Sequence, residues 1–113
     1  MIRNCIVYSD VYKGRKIIIT RIDGFQNYIE VNVHDVMSKG TPTEFLDFIS
    51  NIISKNVFNT KAFLEKPADN EKVYLCFEVP EPIENGWRSL IKLDELEKEC
   101  IKTLKKIVDV LED

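Results

Sequence analysis

His34 is the sole histidine of the chain and is followed directly by Asp35. A histidine titrates near neutrality and a carboxylate can orient it, so the pair invites a reading as a general base with its orienting acid. Both residues fall at the predicted end of a strand, where neighbours point to opposite faces, which argues against their acting together. A solvated or structurally bonded histidine is the better reading. A serine or cysteine nucleophile would need that same histidine, which leaves Cys5, Cys76 or Cys100 as thiol candidates. None has a diagnostic neighbourhood: Cys76 lies in Tyr74-Leu75-Cys76-Phe77 and Cys100 on an apolar helical stripe, the settings of small core residues. Three widely spaced cysteines with no Cys-x-x-Cys pair indicate neither a disulfide framework nor a zinc site.

Asp94, Glu95, Glu97 and Glu99 are close in sequence, but they fall where a helix is expected to open and complement its dipole there. Neither the EF-hand spacing nor a His-x-x-x-His pair is present, and Gly14, Gly24, Gly40 and Gly86 are isolated turn glycines instead of a phosphate-binding loop. No catalytic residue, metal ligand or cofactor site is therefore expected.

What remains is surface. Tyr28, Glu30, Asn32 and His34 form the polar face of a predicted strand, to which Arg15 or Arg21 and Tyr8 or Tyr12 can be added from its neighbours. Tyrosine, histidine and arginine are residues that recognition surfaces favour, although an uncovered sheet face must be polar for solubility alone. Trp87 and Arg88, after a loop with Pro80, Pro82 and Asn85-Gly86, make a second candidate if the indole is exposed; burial in the core is the competing reading.

The elements that position these residues can be read from periodicity. Ile2 to Tyr8 and Arg15 to Ile22 are β-branched runs joined by a polar segment, Asp10 to Gly14, and predict a hairpin. Asp23-Gly24 is a strong two-residue turn signal and leads into a third strand, Phe25 to His34. There Phe25, Asn27, Ile29, Val31 and Val33 alternate with Gln26, Tyr28, Glu30, Asn32 and His34, so one face is buried and one polar. Thr41-Pro42-Thr43-Glu44 reads as a capping box with proline at the first helical position. The helix it opens carries Phe45, Phe48, Ile49, Ile52 and Ile53 on one stripe, with Asn56 as its stop.

Thr60 to Glu65 and Lys72 to Val79 predict a further hairpin around the Pro67 to Asn70 turn, and Trp87 to Leu93 reads as a last strand. Asp94 and Glu97 then form a second capping box. Leu96, Cys100, Leu104, Ile107 and Leu111 space the closing helix, with Ile101, Val108 and Val110 widening its apolar surface. The expected fold is α+β, antiparallel sheet with two helices in the order βββα-βββα, one domain over 1–113 with halves meeting near Asn56.

Composition bounds the function. The chain has 113 residues, 44% hydrophobic and 31% charged, the balance of a folded globular domain. A net charge of −3, from 19 acidic and 16 basic residues, argues against nucleic acid and leaves room for a basic protein partner. No signal-peptide pattern or membrane span is visible, so a cytoplasmic location is expected. The abundance of Ile, Lys and Asn hints at an AT-rich bacterial or phage genome.

The reading that follows is a small non-catalytic protein acting through a protein–protein interface, of the inhibitor, immunity or counter-defence type. The alternative is a small-ligand or nucleotide-binding domain, or an enzyme, with a site among Tyr8, Arg21, Tyr28, Asn32 and His34 on the N-terminal sheet. Either is compatible with a homodimer formed through the C-terminal helix or an edge strand.

Overall fold

A computed structural model of the chain describes residues 6–55, 60–66, 72–80 and 86–113, the side chains of 86–92 excepted. It is an α+β fold. The elements in chain order are β1 (Ile6–Tyr12), β2 (Arg15–Arg21), β3 (Gly24–Val31), α1 (Val33–Met37), α2 (Pro42–Ser54), β4 (Phe63–Glu65), β5 (Val73–Pro80) and α3 (Gly86–Glu112). The strands make one five-stranded sheet in the order β1-β2-β3-β5-β4, each neighbouring pair antiparallel.

The first turn is tighter than expected. β1 continues to Tyr12, and Lys13 and Gly14 alone reverse the chain, both at positive φ (51° and 83°), as a primed two-residue hairpin requires. Asp23 and Gly24 also take positive φ, 53° and 133°, as their residue types favour, but Arg21 pairs with Phe25 and Gly24 already stands in β3 opposite Pro80, so the reversal takes three residues, Ile22 to Gly24, where two were expected. Met1 to Cys5, Asn56, the Pro67 to Asn70 turn and the loop before Gly86 lie outside the described residues.

β3 stops at Val31, three residues short of the expected end. Asn32 leaves the strand to cap α1: its side chain accepts from the Asp35 N–H at 2.9 Å while Asp35 Oδ2 accepts from the Asn32 N–H at 2.8 Å. That reciprocal pair satisfies two donors at once, and it outcompetes a strand in which Asn and Asp have low propensity. His34 is consequently on a helix and not on the polar face of β3. The alternation in the rest of β3 is as read: Phe25, Asn27, Ile29 and Val31 are buried, Gln26, Tyr28 and Glu30 half-buried.

α2 begins at Pro42 behind Thr41, whose hydroxyl oxygen accepts from the Glu44 N–H at 3.1 Å. Phe45, Ile49 and Ile53 carry its buried stripe. β4 and β5 are the expected second hairpin, but β5 takes the inner place, beside β3, and β4 the edge.

The segment 87–93 is helical. α3 starts at Gly86 and passes through Asp94 and Glu97, so those residues are not a cap. Leu93 is buried seven residues before Cys100, and the stripe continues through Leu104 to Ile107 and Val108. The phase that reads as helix after Asp94 therefore extends backwards without a break. Among the described residues the second half has two strands where three were expected, and the order of elements is βββααββα. The core lies between one sheet face, with Ile17, Ile19, Ile29, Leu75 and Phe77, and the inner faces of α2 and α3.

Candidate interaction surface

Antiparallel partners standing opposite each other share a face, so the register maps the far side of the sheet row by row. The middle row runs Ser9, Ile18, Tyr28, Cys76, Phe63 from β1 to β4. On one side of it stand Val11 and Lys16, with Glu30, Tyr74 and Glu65; on the other, Ile6, Thr20, Gln26 and Glu78. The register shift between Ile6 and Tyr8 is what turns Ile6 to this side. None of Ile18, Tyr74 and Cys76 belongs to the core under α2 and α3, although all three are buried.

The centre of this outer face is aromatic and apolar. The rings of Tyr28 and Tyr74 meet edge to face at 6.4 Å, the arrangement favoured by their quadrupoles. Val11, Ile6 and Phe63 stand on the same side at 65, 49 and 40% exposure. Charge around it is mixed: Lys16 is on β2, Glu30, Glu65 and Glu78 stand on β3, β4 and β5, Lys72 pairs with Glu30 at 3.2 Å, and the exposed Lys61 and Lys66 flank β4 in sequence. Burial raises the Tyr28 phenol and the Cys76 thiol above their ordinary pKa values, and the charge of Glu65 adds to both shifts. Cys76 Sγ lies 3.9 Å from Glu65 Oε2. Both effects favour the protonated thiol.

One end of the sheet carries the main ionic cluster. Arg15 donates from Nη1 and Nη2 to the two oxygens of Asp35 at 2.6 and 2.8 Å, from Nε to Glu112 at 2.7 Å, and from Nη1 to the Glu30 carbonyl at 3.3 Å. Lys13 pairs with Asp109 at 2.7 Å, and Tyr12 donates to the same carboxylate at 2.9 Å. The cluster ties the β1–β2 hairpin to α1 and to the last turns of α3. Burial works to raise the Asp35 pKa, but the Arg15 hydrogen bonds, helped by the Asn32 N–H, outweigh it and hold the carboxyl below its usual range. Beside this cluster is an open cleft of about 320 Å³ lined by Lys13, Gly14, Arg15, Glu30, Val31, Asn32, Lys72 and Glu112. Its charged groups are paired: Lys13 with Asp109, Arg15 with Asp35 and Glu112, and Lys72 with Glu30.

The residues singled out from sequence are divided by this geometry. Tyr28 and Glu30 share the outer face. Asn32 caps α1, and His34 is exposed on that helix beside Val33. Tyr8 sits opposite Ile19 on the helix-covered face, and Arg21 is at the far end of β2, opposite Phe25. The set proposed as a small-ligand site is thus dispersed over both faces and two ends. The side chains of Trp87 and Arg88 lie outside the described residues.

Sequence reasoning missed Tyr74, Cys76 and Phe63 as neighbours of Tyr28, because only the β3–β5–β4 order brings them together. Their β-branched and aromatic surroundings signal a strand, but not its place in the sheet. Among the described residues, no group of three or more His, Cys, Asp or Glu is arranged to hold a metal ion, and no helix is long and apolar enough to cross a membrane. Comparison with protein-family models, with curated proteins and with solved structures gives no significant match.

Proposed function

We propose that this chain is a non-catalytic binding protein that engages a protein partner through the outer face of its sheet, in the manner of small inhibitor, immunity and counter-defence proteins. The observation that supports it is the composition of that face: Val11, Ile6 and Phe63 are exposed and Tyr28 half-buried around the buried Ile18, Tyr74 and Cys76, on a side of the sheet against which α2 and α3 do not pack. Exposed apolar side chains gathered round aromatic ones, with charges at the margin, are the anatomy of an interface. The ionic cluster at Arg15 is satisfied internally and serves to hold the hairpin, α1 and α3 together.

The test is native mass spectrometry of the tagged chain purified gently from its host, beside a Val11→Ser/Phe63→Ser variant whose circular dichroism matches the wild type. A stoichiometric protein-sized adduct on the wild type, lost from the variant, is the expected result. An adduct that survives both substitutions, or one of only a few hundred daltons, would move the site elsewhere and revive the small-ligand reading.

A further inference from the structure

The end of α3 carries charge of the wrong sign for a helix. C-terminal carbonyls favour cations, yet Asp109, Glu112 and Asp113 stand there and the last turn holds no basic residue. Lys105 and Lys106 are one turn earlier, and Lys105 Nζ lies over the Tyr12 ring, 5.4 Å from its centroid. The cations that meet the last-turn carboxylates come from another element. Lys13 reaches Asp109, Arg15 reaches Glu112, and Tyr12 donates to Asp109, so all three ties run to the β1–β2 hairpin. The apolar hold weakens over the same stretch: Leu104, Ile107 and Val108 are fully buried, Val110 and Leu111 only half-buried, and Glu112 and Asp113 exposed.

We propose that the last turn of α3, residues 109–112, is a strap that stays docked only while Lys13 and Arg15 lend it positive charge, and that rising ionic strength releases it without unfolding the sheet. The Lys13 and Asp109 side chains are 47 and 44% exposed, so salt screens their attraction. Arg15 is held differently: the buried Asp35 grips its guanidinium, so release moves Glu112 away while the hairpin keeps its place. Glu112 lines the cleft beside Lys13, Gly14 and Arg15. Its departure removes one wall of that cleft and frees the Arg15 Nε–H. Local opening of this kind is drawn from the least buried end of an element, as here.

The experiment is amide hydrogen exchange of the isotopically labelled full chain, read residue by residue as protection factors. Sodium chloride is raised from about 0.01 M to about 1 M, which shortens the screening length from about 30 Å to about 3 Å. Two variants are compared with the wild type. Lys13→Gln removes the cation that meets Asp109, and Lys102→Gln makes the same change of net charge on α3 at a lysine that pairs with Glu99 of its own helix. The expected result is that protection over residues 109–112 falls about two- to fivefold in Lys13→Gln, the range for an exposed ion pair. Salt should lower it likewise in the wild type and less in Lys13→Gln. The Gly14 amide shift should move with the strap, while Leu104, Ile107 and the amides of β3 keep their protection, and Lys102→Gln should match the wild type.

Equal protection of residues 109–112 in Lys13→Gln and wild type would overturn the proposal. So would the same loss in Lys102→Gln, which would mean that net charge and not docking holds the turn, or a loss spread evenly over α3 and β3, which would mean that the turn opens only when the whole domain unfolds.

Discussion

Asn27 is the residue whose placement departs most from the rule that polar groups stay near water. It points into the core between Ile19 and Phe77, is fully buried, and its amide nitrogen donates over long distances, 3.3 Å to the Phe77 carbonyl and 3.5 Å to that of Phe25. Its Oδ1 has no hydrogen-bond partner among the described residues. Burial pushes the Cys100 thiol on α3 up to about 12, against a downward pull from the Asn27 amide, so the two side chains meet across the sheet–helix interface. Two long bonds gained and one acceptor desolvated nearly cancel, since each is worth about 1 kcal/mol. Asn27→Val is therefore expected to unfold in urea within about 1 kcal/mol of the wild type, whereas Asn27→Asp, which buries a carboxylate, should lose at least about 3 kcal/mol at neutral pH. A large loss for valine would mean that the amide bonds contribute more than their lengths imply.

At the scale of the element, β1 is the feature to explain, because an edge strand with Ile6, Val7 and Val11 exposed is a template for pairing with another chain. Two devices hinder that. The register shift between Ile6 and Tyr8 distorts the ladder, and Asp10 turns its own Oδ1 onto the Val11 N–H at 2.8 Å, occupying a donor on the strand while adding charge beside it. A homodimer through this edge therefore meets resistance. The C-terminal helix offers no better route, since none of the described residues of α3 is among the exposed large apolar side chains. Replacing Asp10 by valine removes both the cap and the charge. Light scattering should then find Asp10→Val at a higher mass than the wild type, with a mass that rises with concentration; equal masses over the same range would show that Asp10 is not what blunts the edge.

For the whole molecule, the Arg15 cluster is what joins distant parts of the chain. Arg15 and Asp35 side chains are only 13 and 7% exposed, so removing the guanidinium leaves a buried carboxylate whose remaining stabilisation is the Asn32 N–H. Arg15→Met should cost about 3 kcal/mol at pH 7, near the lower end for breaking a buried pair. The sign of its pH dependence follows from the lowered pKa of Asp35 in the folded protein. The stability from this pair is fully present above the unfolded value of about 3.9 and is lost as pH falls below it towards the folded pKa. In the methionine variant, acid instead relieves the buried charge. The gap between wild type and variant should narrow from pH 7 to about pH 3; a constant gap in urea midpoints would show that Asp35 does not carry the effect.

The same scale separates what could be read from the residues in order from what could not. The Asp23-Gly24 turn, the Thr41 cap, the alternation of Phe25 to Val31 and the stripe from Cys100 to Leu111 each depend on residues within a few positions of one another. Local sterics and burial period determine them, and they are legible without a fold. Where two local signals compete, the reading slips: the Asn32–Asp35 capping pair ends β3 early, and the segment 87–93, read as a strand, keeps the helical phase that runs from Leu93 through Cys100. The long-range relations have no local signature. Whether β5 or β4 lies beside β3, and hence whether Tyr28 meets Cys76 and Phe63, is decided by how the whole sheet buries its inner face against α2 and α3. Likewise Arg15 finds Glu112 across 97 residues only once the sheet and last helix are packed. The sequence alone determined the elements and the faces they must bury; the tertiary structure decided which outward-facing residues became neighbours, because strand order and register are properties of the assembled sheet.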